Sequence, residues 1–206
     1  METKKIILIA AAAVVLLIII ALLCSHFSAG NRKGRAAERK VAKALAKLGK
    51  KDKVRIINNA FLPLYNKTCE IDHLVFGRFG VLVVETKGIS GNVSGSGKKL
   101  THTIGMKVHK LYNPQLQNKT HLDNVTHHLK KGGFDRVPVT GAVVFTDKDI
   151  VLDGDYGIRL DELERLYERL PDAGCNQDAL YNYFSGLLVK NPFRKFMHKF
   201  SKKDWD

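Results

Sequence analysis

Hydrophobic positions along the chain fall into three regimes: one unbroken apolar run, a series of segments with helical or two-residue period, and a basic tail with interspersed apolar residues. Residues 6–24 (IILIAAAAVVLLIIIALLC) contain no charged or helix-breaking side chain. About 20 such residues, rising ~1.5 Å each, cross the hydrocarbon core of a bilayer. The run is apolar all round, unlike a core helix. It exceeds the ~7–15 residues of a cleavable signal's apolar region, and no A-x-A-like site follows it. It predicts one N-terminal transmembrane helix over 6–24. Leu23 before Cys24 is too large for a lipoprotein signal.

Beyond a hydrophilic linker over 25–34, periodicity predicts a mixed set of elements. Ala37, Val41, Ala44, Leu45 and Leu48 recur at helical spacing, with basic residues between them and Gly49 as a stop. Residues 54–59 (VRIINN) predict a short strand that Pro63 closes as a loop. Residues 69–76 (CEIDHLVF) alternate imperfectly, and the turn Gly77-Arg78-Phe79-Gly80 leads into VLVVETK over 81–87, which together predict an antiparallel hairpin. Residues 88–97 (GISGNVSGSG) suit a flexible loop or an edge hairpin outside the core. A helix is predicted over 113–131, with Leu116, Leu122, Val125 and Leu129 as its apolar stripe and Gly132-Gly133 ending it. Residues 137–146 predict a buried strand, and 160–170 and 177–189 predict closing helices.

A helix, three strands, a helix, a strand and further helices imply an α/β fold with a mixed sheet flanked by helices, because a strand reached through a crossover helix normally runs parallel to its neighbour. About 170 residues follow the linker, enough for one domain with its own core.

Charge adds a partner class. The formal net charge is +14, and because the apolar run carries none of it, the excess belongs almost wholly to the soluble part. An anionic partner is implied: nucleic acid, or the anionic lipid surface beside the anchor. Arg32, Lys33, Arg35, Arg39, Lys40 and Lys43 follow the span while only Lys4 and Lys5 precede it, which orients the domain toward the cytoplasm, as in a bacterial inner-membrane protein. The three cysteines have neither metal-type spacing nor an even count, in keeping with a reducing compartment. In the tail over 191–206, Phe193, Phe196, Met197 and Phe200 recur at helical spacing between lysines and arginines, which predicts a basic amphipathic helix for an anionic leaflet, for the domain itself or for a phosphate backbone.

Charged residues inside apolar strands carry the candidate chemistry. A two-residue period puts Val81, Val83, Glu85 and Lys87 on one face, so carboxylate and ammonium emerge side by side, and the hairpin brings Asp72 within reach of Glu85. Carboxylate oxygens suit Mg²⁺ or Mn²⁺, and a lysine adds positive charge where a phosphoryl transition state gathers negative charge. A lone E-x-K is nonetheless common as a charge pair on solvated strands. His73 falls on the opposite parity from Asp72, Asn113 before Pro114 suits a helix cap, and the remaining histidines lack the spacing of a zinc helix. No GxxxxGK[ST] is present, which disfavours an ATPase.

The segments GRAAERKVAKAL, EIDHLVFGRFGVLVVETKG and NPQLQ, in this order, resemble the NERD family, the nuclease-related domain, whose members are similar to PD-(D/E)xK restriction-endonuclease-like nucleases. The resemblance implies a domain over 35–150 with a restriction-endonuclease-like core, and the helical patterns of 160–170 and 177–189 predict a C-terminal helical extension over 151–190. It matches Glu38 to the family's helical acid, Asp72 to the metal-binding aspartate, Glu85 and Lys87 to the ends of E-x-K, and Gln117 to the glutamine of the following helix. It implies Mg²⁺ or Mn²⁺ on Asp72 and Glu85, and a membrane-anchored nuclease acting on DNA or RNA. The alternative is a non-catalytic module of the same fold that binds nucleic acid or anionic lipid.

Overall fold

A computed structural model describes residues 15, 32–50, 52–65 and 67–190. The expected transmembrane helix over 6–24, apart from Val15, and the tail over 191–206 lie outside the described residues. Among those residues, no helix is long and apolar enough to cross a membrane. The chain divides into two units, Met1–Ala36 and Ala37–Asp206. Apart from residues 32–36 of the first helix, the second holds the architecture that follows.

Helix α1 occupies residues 32–50. Strands β1 (Arg55–Leu64), β2 (Lys67–Gly77) and β3 (Gly80–Lys87) follow as an antiparallel meander. Three short strands come next, β4 (Gly91–Ser94), β5 (Lys99–Ile104) and β6 (Lys107–Tyr112), before helix α2 (Pro114–Lys131). Strand β7 (Val139–Phe145) then enters parallel to β3, and β8 (Ile150–Leu152), β9 (Ile158–Arg159), α3 (Leu163–Glu168) and α4 (Gln177–Leu187) complete the order. One sheet runs β1-β2-β3-β7-β9 and a second runs β6-β5-β4-β8. The molecule is thus the expected α/β arrangement of mixed sheets flanked by helices.

Alternation along the central strands assigns the layers. Val81 and Val83 of β3 pack with Leu74 and Phe76 of β2, Val125 and Leu129 of α2, and Leu180 and Phe184 of α4. Leu82 and Val84 point the other way, into a cluster with Val41, Leu45 and Leu48 of α1 and with Leu163 and Tyr167 at α3. A third cluster joins Val143 and Phe145 of β7 to Val93, Leu100 and Ile150 of the second sheet. Glu85 and Lys87 stand opposite Val143 and Phe145 in the parallel ladder. The face that α2 and α4 cover near Val81 is therefore covered by the second sheet near Lys87, and the E-x-K residues lie at this change of cover.

Two glycines fix the tight approaches. Gly80, at φ +100, closes the β2–β3 turn where an added Cβ would collide with the Pro138 carbonyl oxygen. Gly141 on β7 lets α2 pack close, since a Cβ there would press on Leu122 and Asn118.

Several expectations are corrected. Residues 88–97 are not a loop outside the core: β4 runs through them, and Val93 is fully buried. Pro63 does not close β1 but remains in it, paired with Thr68, because β1 is an edge strand and a missing N–H on its open side costs nothing. Leu116 is not part of the buried stripe of α2 but is exposed, and Asn118, His121, Asn124 and His128 are buried instead. Asn124 Nδ2 donates to the Pro63 carbonyl at 2.9 Å, and His128 Nε2 lies 2.9 Å from the same oxygen, so polar side chains serve the helix-to-sheet contact.

Candidate active site

The imperfect alternation of β2 has a structural cause that places Asp72. Cys69, Ile71, Leu74 and Phe76 all enter the same cluster, so the two-residue period slips between Ile71 and Leu74. The neighbouring strand slips in step, with Ile57, Ala60 and Leu62 in that cluster too. Asn59 adopts a left-handed φ of 52, and the β1–β2 ladder passes over it between Asn58↔His73 and Ala60↔Ile71. Asn tolerates this conformation better than a branched residue would. Asp72 sits at the slip, released from regular pairing, and its Oδ2 accepts a hydrogen bond from the Thr86 backbone N–H of β3 at 2.7 Å.

Glu85 is 3% exposed, a burial that a carboxylate tolerates only with partners. Lys87 Nζ donates to Glu85 Oε1 at 2.8 Å and to Gln117 Oε1 at 2.8 Å. Gln117 lies one turn into α2, whose start is set by Asn113: its side chain accepts from the Gln115 N–H at 3.0 Å, and Pro114 occupies the first turn. One turn further along, His121 Nδ1 stands 3.4 Å from Glu85 Oε2. That carboxylate oxygen is buried and makes no hydrogen bond.

Electrostatics tie Asp72 to this group. Burial pushes the Asp72 carboxyl well above the ordinary carboxylate range, and the negative charge of Glu85 pushes it further. The Thr86 N–H opposes the shift, Glu38 on α1 adds to it, and Lys87 counters it. His73, paired with Val84 and with its Nδ1 2.7 Å from Asn58 Oδ1, is held down to about 4 by burial, partly offset by Glu85. The structure thus brings Asp72, Glu85, Lys87 and Gln117 into one cluster, with Glu38 close enough for its charge to act on Asp72.

His121 is the site residue that sequence reasoning missed. Its signal was its position four residues after Gln117, which puts both on one helical face. The absence of zinc-helix spacing hid it, because the buried face of α2 mixes Val125 and Leu129 with the polar Asn118, His121, Asn124 and His128.

The donor set fits a hard divalent cation of limited protein ligation. Two carboxylates of like sign share a desolvated site, and one buried carboxylate oxygen lacks a hydrogen bond. Among the described residues no three His, Cys, Asp or Glu side chains are disposed to hold a metal ion. Mg²⁺ commonly takes only one or two carboxylates from a protein and completes its shell with water and substrate phosphate.

Comparison with known proteins agrees in direction. The chain matches the family model "Nuclease-related domain" (NERD) over residues 33–146, a span that contains α1, the meander, α2, β7 and every residue of the cluster. An uncharacterized protein of Bacillus anthracis is 26% identical over 175 residues, covering 81% of each chain. No solved structure matches. The chain that builds this buried carboxylate and lysine cluster belongs to the nuclease-related domain family.

Proposed function

We propose that the protein is a membrane-anchored, metal-dependent nuclease of the PD-(D/E)xK type that hydrolyses phosphodiester bonds of DNA or RNA. The observation that carries this reading is the convergence of Asp72, Glu85 and Lys87 from two adjacent strands, with Lys87 Nζ held 2.8 Å from both Glu85 and Gln117. The order of α1, an antiparallel meander, α2 and a parallel β7 supports a restriction-endonuclease-like core.

Asp72 and Glu85 would hold Mg²⁺ or Mn²⁺, which supplies Lewis-acid polarisation of a phosphoryl oxygen and lowers the pKa of bound water. Lys87 supplies a fixed positive charge for the oxygens of the transition state. Gln117 restrains the Lys87 ammonium from the helix side, so the cation stays aimed without being neutralised. Glu38 adds negative charge next to Asp72, favouring cation capture. The span over 6–24 would hold the domain on the cytoplasmic face, in the manner of a bacterial inner-membrane protein, where the basic tail over 191–206 can meet anionic lipid.

A non-catalytic nucleic-acid- or lipid-binding module of the same fold is the second reading, which needs only the basic charge of the chain. The test is incubation of the full chain with single- and double-stranded DNA and RNA, in Mg²⁺, in Mn²⁺ and in chelator. Cleavage that chelation abolishes supports the nuclease. Binding without cleavage in either metal supports the module, and cleavage insensitive to chelation removes the metal from the mechanism.

A further inference from the structure

Between Glu85 and Asp123 the chain contains no acidic residue, while Lys87, Lys98, Lys99, Lys107, Lys110 and Lys119 all fall in this stretch. Most of it forms the sheet strands β4, β5 and β6, inserted between β3 and α2, the two elements that carry Glu85, Lys87 and Gln117. Sequence reasoning left this segment without a role.

The β5–β6 hairpin has an inner and an outer face. Cross-strand pairs alternate between them: Leu100↔Leu111 and His102↔His109 on one, Thr101↔Lys110 and Thr103↔Val108 on the other. Leu100 and His102 are buried, with His102 Nε2 2.7 Å from the Ser90 carbonyl oxygen, so their face packs inward at the base, whereas His109 and the Ile104↔Lys107 pair of the same parity are exposed toward the tip. The other face therefore presents hydroxyls, a lysine and Val108 outward. At the tip, Ile104, Met106 and Val108 are 43%, 101% and 64% exposed, three of the seven exposed large hydrophobic side chains among the described residues. The base is rigid, because the Asn113 N–H donates to the Lys98 carbonyl at 3.0 Å and Asn113 Nδ2 donates to the Gly97 carbonyl at 2.9 Å. The same Asn113 caps α2, so hairpin and Gln117 are positioned by one residue.

We infer that the β5–β6 hairpin is a nucleic-acid-binding ribbon that grips the substrate strand beside the cluster, with Lys107 and Lys110 on phosphates and the Met106 tip against sugars or bases. This rests on the nuclease reading for what happens next to the ribbon, but the grip itself does not require cleavage. Charge complementarity selects the occupant. Lys107 and Lys110 lie along the ribbon and Lys98 and Lys99 at its base, where Asn113 begins the helix that carries Gln117, and two-stranded ribbons with exposed apolar tips suit grooves and unstacked bases. The acidic residues Asp149 and Asp153 flank β8, at the edge of the sheet opposite β6, so a polyanion is directed to the β6 side. A bilayer would engage the apolar tip but leave the charge along the ribbon unused.

The test is binding of a labelled oligonucleotide to the full chain in chelator, across a salt series, for the native protein, Lys107→Ala/Lys110→Ala, Met106→Ser, and Lys130→Ala/Lys131→Ala as a charge-matched control at the far end of α2. The hairpin lysine pair is expected to weaken binding about tenfold or more and to lower the salt slope by roughly 1 to 2, as loss of two phosphate contacts requires. Met106→Ser should weaken it about threefold with the slope kept, and the control should change little. All these positions are exposed, so unchanged thermal melting keeps the comparison valid. Equal losses in hairpin and control variants, no oligonucleotide binding by the native chain, or a hairpin defect confined to anionic phosphatidylserine vesicles would each overturn the inference. Native-like cleavage by the hairpin variants with unchanged binding would overturn it while leaving the nuclease intact. Hairpin-dependent binding without cleavage would do the reverse.

Discussion

Asp72 concentrates the chemistry of the site in one side chain. Its carboxyl is desolvated and faces the charge of Glu85, so its folded-state affinity for a proton exceeds that of an unfolded carboxyl. A raised carboxyl pKa means the folded state binds more protons than the unfolded one, so stability falls as pH rises through that window and stays low above it. In chelator at pH 8, Asp72→Asn should therefore raise the melting temperature, and the gain should vanish below the ordinary value of 3.8, where the unfolded carboxyl is protonated as well. A lower melting temperature for the variant at pH 8 would contradict a destabilising buried carboxylate, since Asn keeps an acceptor for the Thr86 N–H. Addition of Mg²⁺ should stabilise the native chain and not the variant, by mass action on the folded state. Asp72, Glu85 and Lys87 were legible in the sequence because charges interrupt otherwise apolar strands, and Glu38 and Gln117 through the family resemblance. His121 was marked only by sharing the helical face of Gln117, since the spacing alone does not say which polar face of a helix is turned inward.

At the scale of elements, the slip shared by β1 and β2 separates what periodicity can and cannot predict. The β3 assignment follows from strict alternation, and Glu85 and Lys87 do share a face with Val81 and Val83. Along β2 the alternation fails at the residue that matters, because Asn59 on the neighbouring strand takes a left-handed conformation. A sequence shows the broken pattern but not the partner that breaks it. Asn59→Gly should be nearly neutral in stability, whereas Asn59→Val should cost about 2 kcal/mol, near the usual cost of forcing a non-glycine residue into that region, and should also depress activity by shifting Asp72. Thermal melting and cleavage rate together check this. Gly80→Ala should destabilise by about 2 kcal/mol or more, from its positive φ and the Pro138 carbonyl behind it, in a denaturant titration. The strands β5 and β6 went unpredicted because β5 buries only the alternate side chains Leu100 and His102 and β6 buries none, so neither leaves an apolar run in the sequence.

The whole molecule couples a cationic surface to a small, desolvated anionic site. On the nuclease reading, the net charge of +14 would steer a polyanion toward the protein, and a divalent cation would offset the like charges of Asp72 and Glu85. Nucleic-acid binding should therefore fall steeply with salt, while the rate of cleavage from the bound state should depend on the divalent cation. The family match over 33–146 covers the cluster and the ribbon alike, and β9, α3 and α4 beyond it complete the cores on both faces of the first sheet. The most direct measurement is the single-turnover rate of phosphodiester cleavage in Mg²⁺ for the native chain beside Lys87→Ala, at protein concentrations that saturate binding. Loss of one charge that acts on the transition state should lower the rate about 100-fold or more with binding retained. An unchanged rate in Lys87→Ala would contradict the assignment of catalysis to the Asp72, Glu85 and Lys87 cluster.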